Sequence, residues 1–306
     1  MKRLVTRSDF DGLVCAMLLK ELDLIDDIKF VHPKDVQDGK IELTENDITT
    51  NLPFDPRVGL AFDHHESELS RNAGVDVKDK WVIDGDARSA ARVVYRYYGG
   101  KDTFKRVSDE IMTAVDKGDS ADFTREEILD PKGWNLMNFI MDARTGLGRF
   151  HDFRISNYDL MMELIDACLT KPIDEILELP DVKERTDLYF KQGELFKAQL
   201  EKLTKIHGNV GVIDLRDEET IYAGNRFMVY AMYPEMQISV HVAWGFKKQN
   251  TAVMIGKSII NKSSNVDIGK ICLSYGGGGH KNAGTCQLEN DIVDKELPNI
   301  IEKLQG

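Results

Sequence analysis

Short apolar runs, each closed by a polar residue or a proline, mark the first sixty residues. Residues 4–6 form a β-rich run that stops at Asp9. Residues 12–22 carry Leu13, Met17 and Leu18 at helical spacing, predicting a helix with one apolar side. Residues 28–31 read as a strand ended by Pro33, and 47–50 as a strand closed by Asn51 and Pro53. Residues 58–62 form a third such run and lead straight into Asp63, His64 and His65. Short apolar strands alternating with helices predict an α/β domain with a doubly wound, mainly parallel sheet. Ligands of such sheets gather beyond the carboxyl ends of the strands, so Asp9, Asn51 and Asp63 are expected at one edge. From 87 to 170 the pattern is mostly helical, and Pro180 breaks it. Residues 182–207 read as one long charged helix. Strands return at 210–215, 238–244 and 252–255, followed by a glycine run at 276–279 and a closing helix at 292–304. The expected organisation is an α/β domain over 1–190 and a smaller α/β domain over 208–306, with 182–207 as the connector. No internal repeat or low-complexity tract interrupts it.

Composition narrows the class. The 306 residues are 42% hydrophobic and 30% charged, as in ordinary globular proteins. No stretch approaches the roughly 18 apolar residues of a membrane span. Met1, Lys2 and Arg3 resemble a signal n-region, but Asp9 and Asp11 arrive before an apolar segment forms, which excludes a secretory peptide. Cys15, Cys168, Cys272 and Cys286 are scattered, the pattern of reduced thiols in a cytoplasmic protein. The formal net charge of −12 argues against wrapping a long duplex, because phosphate neutralisation drives such binding. It leaves open an enzyme for short phosphorylated substrates, and a homodimer is compatible with it.

Three strings and a pair of aspartates carry candidate chemistry. In Asp9-Phe10-Asp11-Gly12 the alternate carboxylates sit at a strand-to-helix turn, and Gly12 removes a side chain that would crowd them. A plain alternative is that either aspartate is a helix N-cap. Asp63-His64-His65 adds an oxygen and two imidazoles, and a mixed set of this kind suits manganese better than calcium. Asp116 and Asp119 lie one helical turn apart and can share a face. Gly276 to Gly279 followed by His280 is costly to order, and successive amides there can form an anion nest for phosphate, with His280 as a further donor. A flexible turn is the alternative. Three other features read as structural. Tyr95, Tyr97 and Tyr98 suggest core, and Lys257 and Arg88 suggest surface cations. The 144–149 string lacks the ending of a nucleoside-triphosphate loop, leaving Arg144 and Arg149 without a duty.

Taken together, Ser8 to Gly12, Asp63-His64-His65 and Gly276 to His280 resemble the DHH phosphoesterase superfamily with its GGGGH-type associated C-terminal domain. That group includes RecJ-like exonucleases, the short-oligonucleotide nucleases called nano-RNases, and exopolyphosphatase-like sequences. The resemblance implies a hydrolase of short oligonucleotides or nucleoside bisphosphates, with two manganese ions and a C-terminal domain closing over substrate. Asp119-Ser120-Ala121-Asp122-Phe123 is similar to a later acidic motif, making Asp119 the preferred ligand and Asp116 the reserve. The implied ligands are Asp9, Asp11, Asp63, His64 and Asp119, with His65 ligating or orienting water. Gly277, Gly278, Gly279, His280, Arg7 and Asn51 are expected at the substrate. Two positions depart from the pattern. Arg7 stands where a ligand is common, and Asn51 where an aspartate is usual. A guanidinium cannot ligate, which points to one ion or two, with Mg2+ or Co2+ as alternatives to Mn2+. An exopolyphosphatase-like hydrolase and a nucleotide-binding module with a decayed metal site are the other readings.

Overall fold

A computed structural model of the protein describes residues 1–65, 72 and 79–306. The chain divides into two compact units: Met1–Asp122 with Pro131–Leu188, and Phe123–Asp130 with Tyr189–Gly306. The division in the second half falls between Leu188 and Tyr189, inside the long helix Pro180–Leu203. Pro180 opens that helix rather than only ending what precedes it, as suits a residue with fixed φ and no N–H to give. The short segment Phe123–Asp130, which the sequence does not set apart, belongs to the second unit. There Arg125 Nε donates to Ala231 O at 2.8 Å and Phe123 packs on Phe227.

The first unit is built on strands β1 (Lys2–Arg7), β2 (Ile25–Val31), β3 (Asp47–Thr50), β4 (Leu60–Asp63) and β5 (Trp81–Ile83). All pairs are parallel, in the order β2-β1-β3-β4-β5. The order reverses between β1 and β3, the switch point at which such sheets bind ligands. β5 has no counterpart in the sequence pattern: its three residues are all half-buried, too short a run to show one. The helix Phe10–Glu21 is buried from Phe10 through Leu19. It is therefore a central helix enclosed on all sides, not the one-sided helix that Leu13, Met17 and Leu18 suggest. Helices Ala90–Tyr97, Asp109–Asp119 and Asn157–Thr170 pack against it. On β1, Val5 packs with Val31, Val36, Leu43, Leu52, Val58 and Ala61.

The second unit holds β6 (Thr204–His207), β7 (Val210–Asp214), β8 (Ile238–Trp244), β9 (Thr251–Lys257), β10 (Gly278–His280) and β11 (Ala283–Leu288). Their order is β10-β11-β9-β8-β7-β6, with β7 and β8 the parallel pair. Residues 204–207, expected as the end of the connector helix, form edge strand β6. β-branched Thr204 and Ile206 pair with Ile213 and Gly211 across the turn at Gly208. Val210, Val212, Val240, Val242, Val253 and Ile255 alternate into a core shared with helices Ile268–Ser274 and Val293–Gln305.

Candidate metal centre

The carboxyl edge of the five-stranded sheet gathers residues from widely separated parts of the chain. β1 delivers Arg7 and, one turn on, Asp9. The following helix starts tightly against the strand. A Cβ on Gly12 would lie 2.0 Å from the Arg7 carbonyl oxygen, so only glycine lets Asp9 and Asp11 straddle this turn. β3 ends at Thr50, and Thr50 Oγ1 meets Thr6 Oγ1 at 2.7 Å, tying the two strand ends together. Asn51 follows with φ 54°, a left-handed conformation that asparagine tolerates better than most residues. β4 ends at Asp63, which is 1% exposed.

Asp11 is buried, and its two oxygens accept from the backbone N–H of Ala90 (3.0 Å) and Ala91 (2.8 Å) at the start of the Ala90–Tyr97 helix. Burial pushes the Asp11 carboxyl well above its ordinary range, and the charges of Asp119 and Asp9 add to this. Asp63 Oδ1 accepts from His64 N at 2.8 Å and lies 2.7 Å from His65 Nδ1. His64 Nε2 lies 2.9 Å from Asp119 Oδ2 at the end of the Asp109–Asp119 helix. That approach lacks hydrogen-bond alignment, and the buried Nε2 has no hydrogen-bond partner. Burial disfavours the His64 cation, but Asp119, Asp11 and Asp63 outweigh it and push the imidazole up to about 9. Burial likewise raises Asp119, and His64 outweighs it to leave that carboxyl below its ordinary range.

Ligand atoms of Asp11, His64 and Asp119 lie within 4.8 Å of one another, as do those of Asp63, His64 and His65. Three features fit a cation here: the mixed nitrogen and oxygen donors, the orphaned His64 Nε2, and Asn51. The last is 2% exposed, with both side-chain polar atoms unpartnered.

Other expected residues stand differently. Asp116, the reserve ligand, is in neither group of converging ligand atoms. It accepts from Ser89 Oγ at 2.7 Å and from Arg92 through Nε at 2.9 Å and Nη2 at 2.7 Å. One helical turn is enough to aim it at the neighbouring helix instead of the cluster. Arg7 Nε pairs with Asp9 Oδ2 at 3.0 Å, so its nearest partner is a carboxylate of the site itself. Arg88 pairs with Asp122 at 2.7 Å. Tyr95 is core, stacked on Phe104, whereas Tyr97 is exposed. Arg144 is a residue to which the sequence assigns no duty. Its turn is pinned by Asp142, with Nε 2.7 Å from Oδ1. Burial disfavours its charge, and Asp142, Asp9 and Asp119 together outweigh that.

The end of the glycine run is a short edge strand and not a loop. Gly278, Gly279 and His280 form β10, paired antiparallel with Thr285, Gly284 and Ala283 at the sheet's edge. Gly277 is required by space, since a Cβ there would meet Thr285 O at 2.2 Å, while one on Gly278 would meet nothing within 4 Å. A cavity of 310 Å3 opens beside this edge, lined by Asp267, Lys270, Gly278, Gly279, His280 and Lys281 among others.

Comparison with solved structures gives a full-length relative. The chain is 56% identical to the pGpG-specific phosphodiesterase PggH from Vibrio cholerae, covering 99% of each chain with a TM-score of 0.86. The DHH domain of a protein described as a ribosomal-protein family member matches with TM-score 0.58 at 14% identity, covering 99% of this chain and 86% of that one. This chain belongs to the DHH phosphoesterase superfamily. It is a hydrolase of phosphoester bonds. CDC45 from Entamoeba histolytica shares the fold at 8% identity, with TM-score 0.54 over 100% of this chain and 95% of that one. No family model and no curated protein matches the chain. No helix among the described residues is long and apolar enough to cross a membrane.

Proposed function

We propose that this DHH enzyme cleaves the internal phosphodiester of a linear dinucleotide, with pGpG as its substrate and two GMP as products. The observation that carries the reading is the 56% identity, over 99% of both chains, with a phosphodiesterase specific for pGpG. A divalent cation, with Mn2+ favoured by the mixed donors, would supply Lewis acidity to a phosphoryl oxygen and lower the pKa of the attacking water.

The chain's own groups do the rest. Asp11, His64 and Asp119 would hold the cation, with Asp63 beside them at the end of β4. Asp11 is itself fixed by two helix amides, so its carboxylate needs no reorganisation when charge develops nearby. Asp63 keeps the proton of His65 on Nδ1, leaving Nε2 of this half-exposed ring to take a proton from water or give one to the departing sugar oxygen. Asn51 offers a neutral carbonyl or amide to cation or substrate. In the second unit, the outer edge of β10 and the cavity with Lys270, His280 and Lys281 form a phosphate-binding element. Its donors are free backbone groups and three cationic or polar side chains.

The test is a panel of pGpG, other dinucleotides, nucleoside bisphosphate, cyclic dinucleotides and polyphosphate, assayed with Mn2+ and again with excess chelator. Chelator-sensitive GMP release, fastest from pGpG, is the expected result. Preference for polyphosphate, or tight nucleotide binding without turnover, would reject the proposal in favour of an exopolyphosphatase or a binding module.

A further inference from the structure

Resting on the reading of the carboxylate cluster as a cation site, we infer that it takes one divalent cation per chain, at Asp11, His64 and Asp119. The Arg7 guanidinium then serves as a built-in cation at Asp9.

Asp9 joins neither group of converging ligand atoms. Both of its oxygens are already engaged. Oδ1 accepts from Gly12 N at 3.0 Å, and Oδ2 pairs with Arg7 Nε at 3.0 Å. The backbone of Arg7, the last residue of β1, is fixed in register with Val31 on β2, and its side chain reaches from there to Asp9. Arg144 reinforces the same side of the cluster, near enough that Asp9 and Asp119 both favour its charge. A second divalent ion beside Asp9 would have to sit against the Arg7 guanidinium and close to that of Arg144, both of like charge.

The second converging group, Asp63, His64 and His65, shares His64 with the first and so supplies no independent set. Asp63 Oδ1 is held by His64 N and by His65 Nδ1, which fixes His65 as an oriented imidazole and not an Nδ1 ligand. Asn51 follows β3, between Arg7 at the end of β1 and Asp63 at the end of β4, and it is neutral. Its two unpartnered, enclosed polar atoms bring none of the negative charge that a second ion would need.

The experiment is Mn2+ binding to the chelator-stripped full chain, counted by calorimetry and by the loss of the free-ion spin-resonance signal. One ion per chain is expected. Two tight ions would overturn the inference while leaving the phosphodiesterase reading intact, and no bound ion would overturn both. Arg7→Ala should admit a second ion, which Arg7→Ala combined with Asp9→Asn should lose again. Arg7→Lys, keeping the charge, should stay at one. A folded Arg7→Ala chain that still holds only one ion would remove Arg7 from the role assigned here. Circular dichroism of each variant separates these outcomes from unfolding, and the wild-type count stands without any variant.

Discussion

At the carboxyl edge of the parallel sheet, each acidic side chain is held from more than one side. Asp11 grips two amides of a neighbouring helix, Asp63 fixes the imidazole beside it, and Asp9 is clasped by Arg7. At β10, on the edge of the mixed sheet, all three residues are exposed and what is offered is bare backbone. The contrast follows from what each must do. Charged groups acting on a reacting phosphate are strongest when buried and preorganised, since reorganisation is then already done. A binding edge must instead let another molecule approach its N–H and C=O groups, which glycine permits and any larger side chain obstructs. On the proposed function, rigidity is placed where the chemistry is, and access where recognition is.

The widest break in that comparison should come from Asp63→Asn. It leaves the backbone bonds from His64 and His65 possible but removes the charge that sets the His65 tautomer. Turnover of pGpG should fall about 10^3- to 10^4-fold, by analogy with an orienting aspartate behind a catalytic histidine. Melting should change little, and near-normal turnover would refute the assignment.

The glycine edge can be split within two residues. Gly277→Ala forces a Cβ to 2.2 Å from Thr285 O and should destabilise the fold by about 1–3 kcal/mol or more, as overpacking does. Gly278→Ala meets nothing, so melting should be unchanged while KM for pGpG rises. Equal effects of the two on thermal denaturation would erase the distinction between scaffold and binding surface.

Asp116 sharpens the other side. Asp116→Ala removes partners from Ser89 and Arg92 and should cost about 1–3 kcal/mol in denaturant unfolding. The Mn2+ count should stay as in the parent chain. A lost ion would show that Asp116 ligates after all.

The smallest effect is in pH. With His64 raised to about 9 from 6.5, the His64 pairing stabilises metal-free protein fully below 6.5 and is lost as pH climbs through 9. Asp11 acts in the same direction: a carboxyl raised by burial opposes folding increasingly as pH passes its ordinary range. Metal-free protein should therefore melt several degrees lower at pH 9.5 than at pH 6, and saturating Mn2+ should flatten the slope. A melting temperature that rises with pH in the metal-free state would contradict the pairing.

Much of this is legible in the residues. Alternating runs point to the parallel sheet, and the rule of carboxyl edges brings Asp9, Asn51 and Asp63 together without knowledge of the fold. The turn at Gly12 and the tripeptide at Asp63 are local signals, because strand, turn and helix propensities act over a few residues. Other assignments depend on what lies across the fold. Asp116 and Asp119 have the same local surroundings, and only the approach of Ser89 and Arg92 to one, and of His64 to the other, separates their roles. Four glycines look alike in the chain, yet the positions of Thr285 and Cys286 decide that Gly277 is scaffold while Gly278 is open.

Periodicity and chemical type were enough for strands β1 to β4 and β7 to β9, for a helix after β1 and for the gathering of Asp9, Asn51 and Asp63 at one edge. Which carboxylate faces an imidazole and which a guanidinium was set only by the folding of the chain onto itself. Electrostatic partnership depends on distances of a few ångströms between segments tens of residues apart, and no local pattern encodes them.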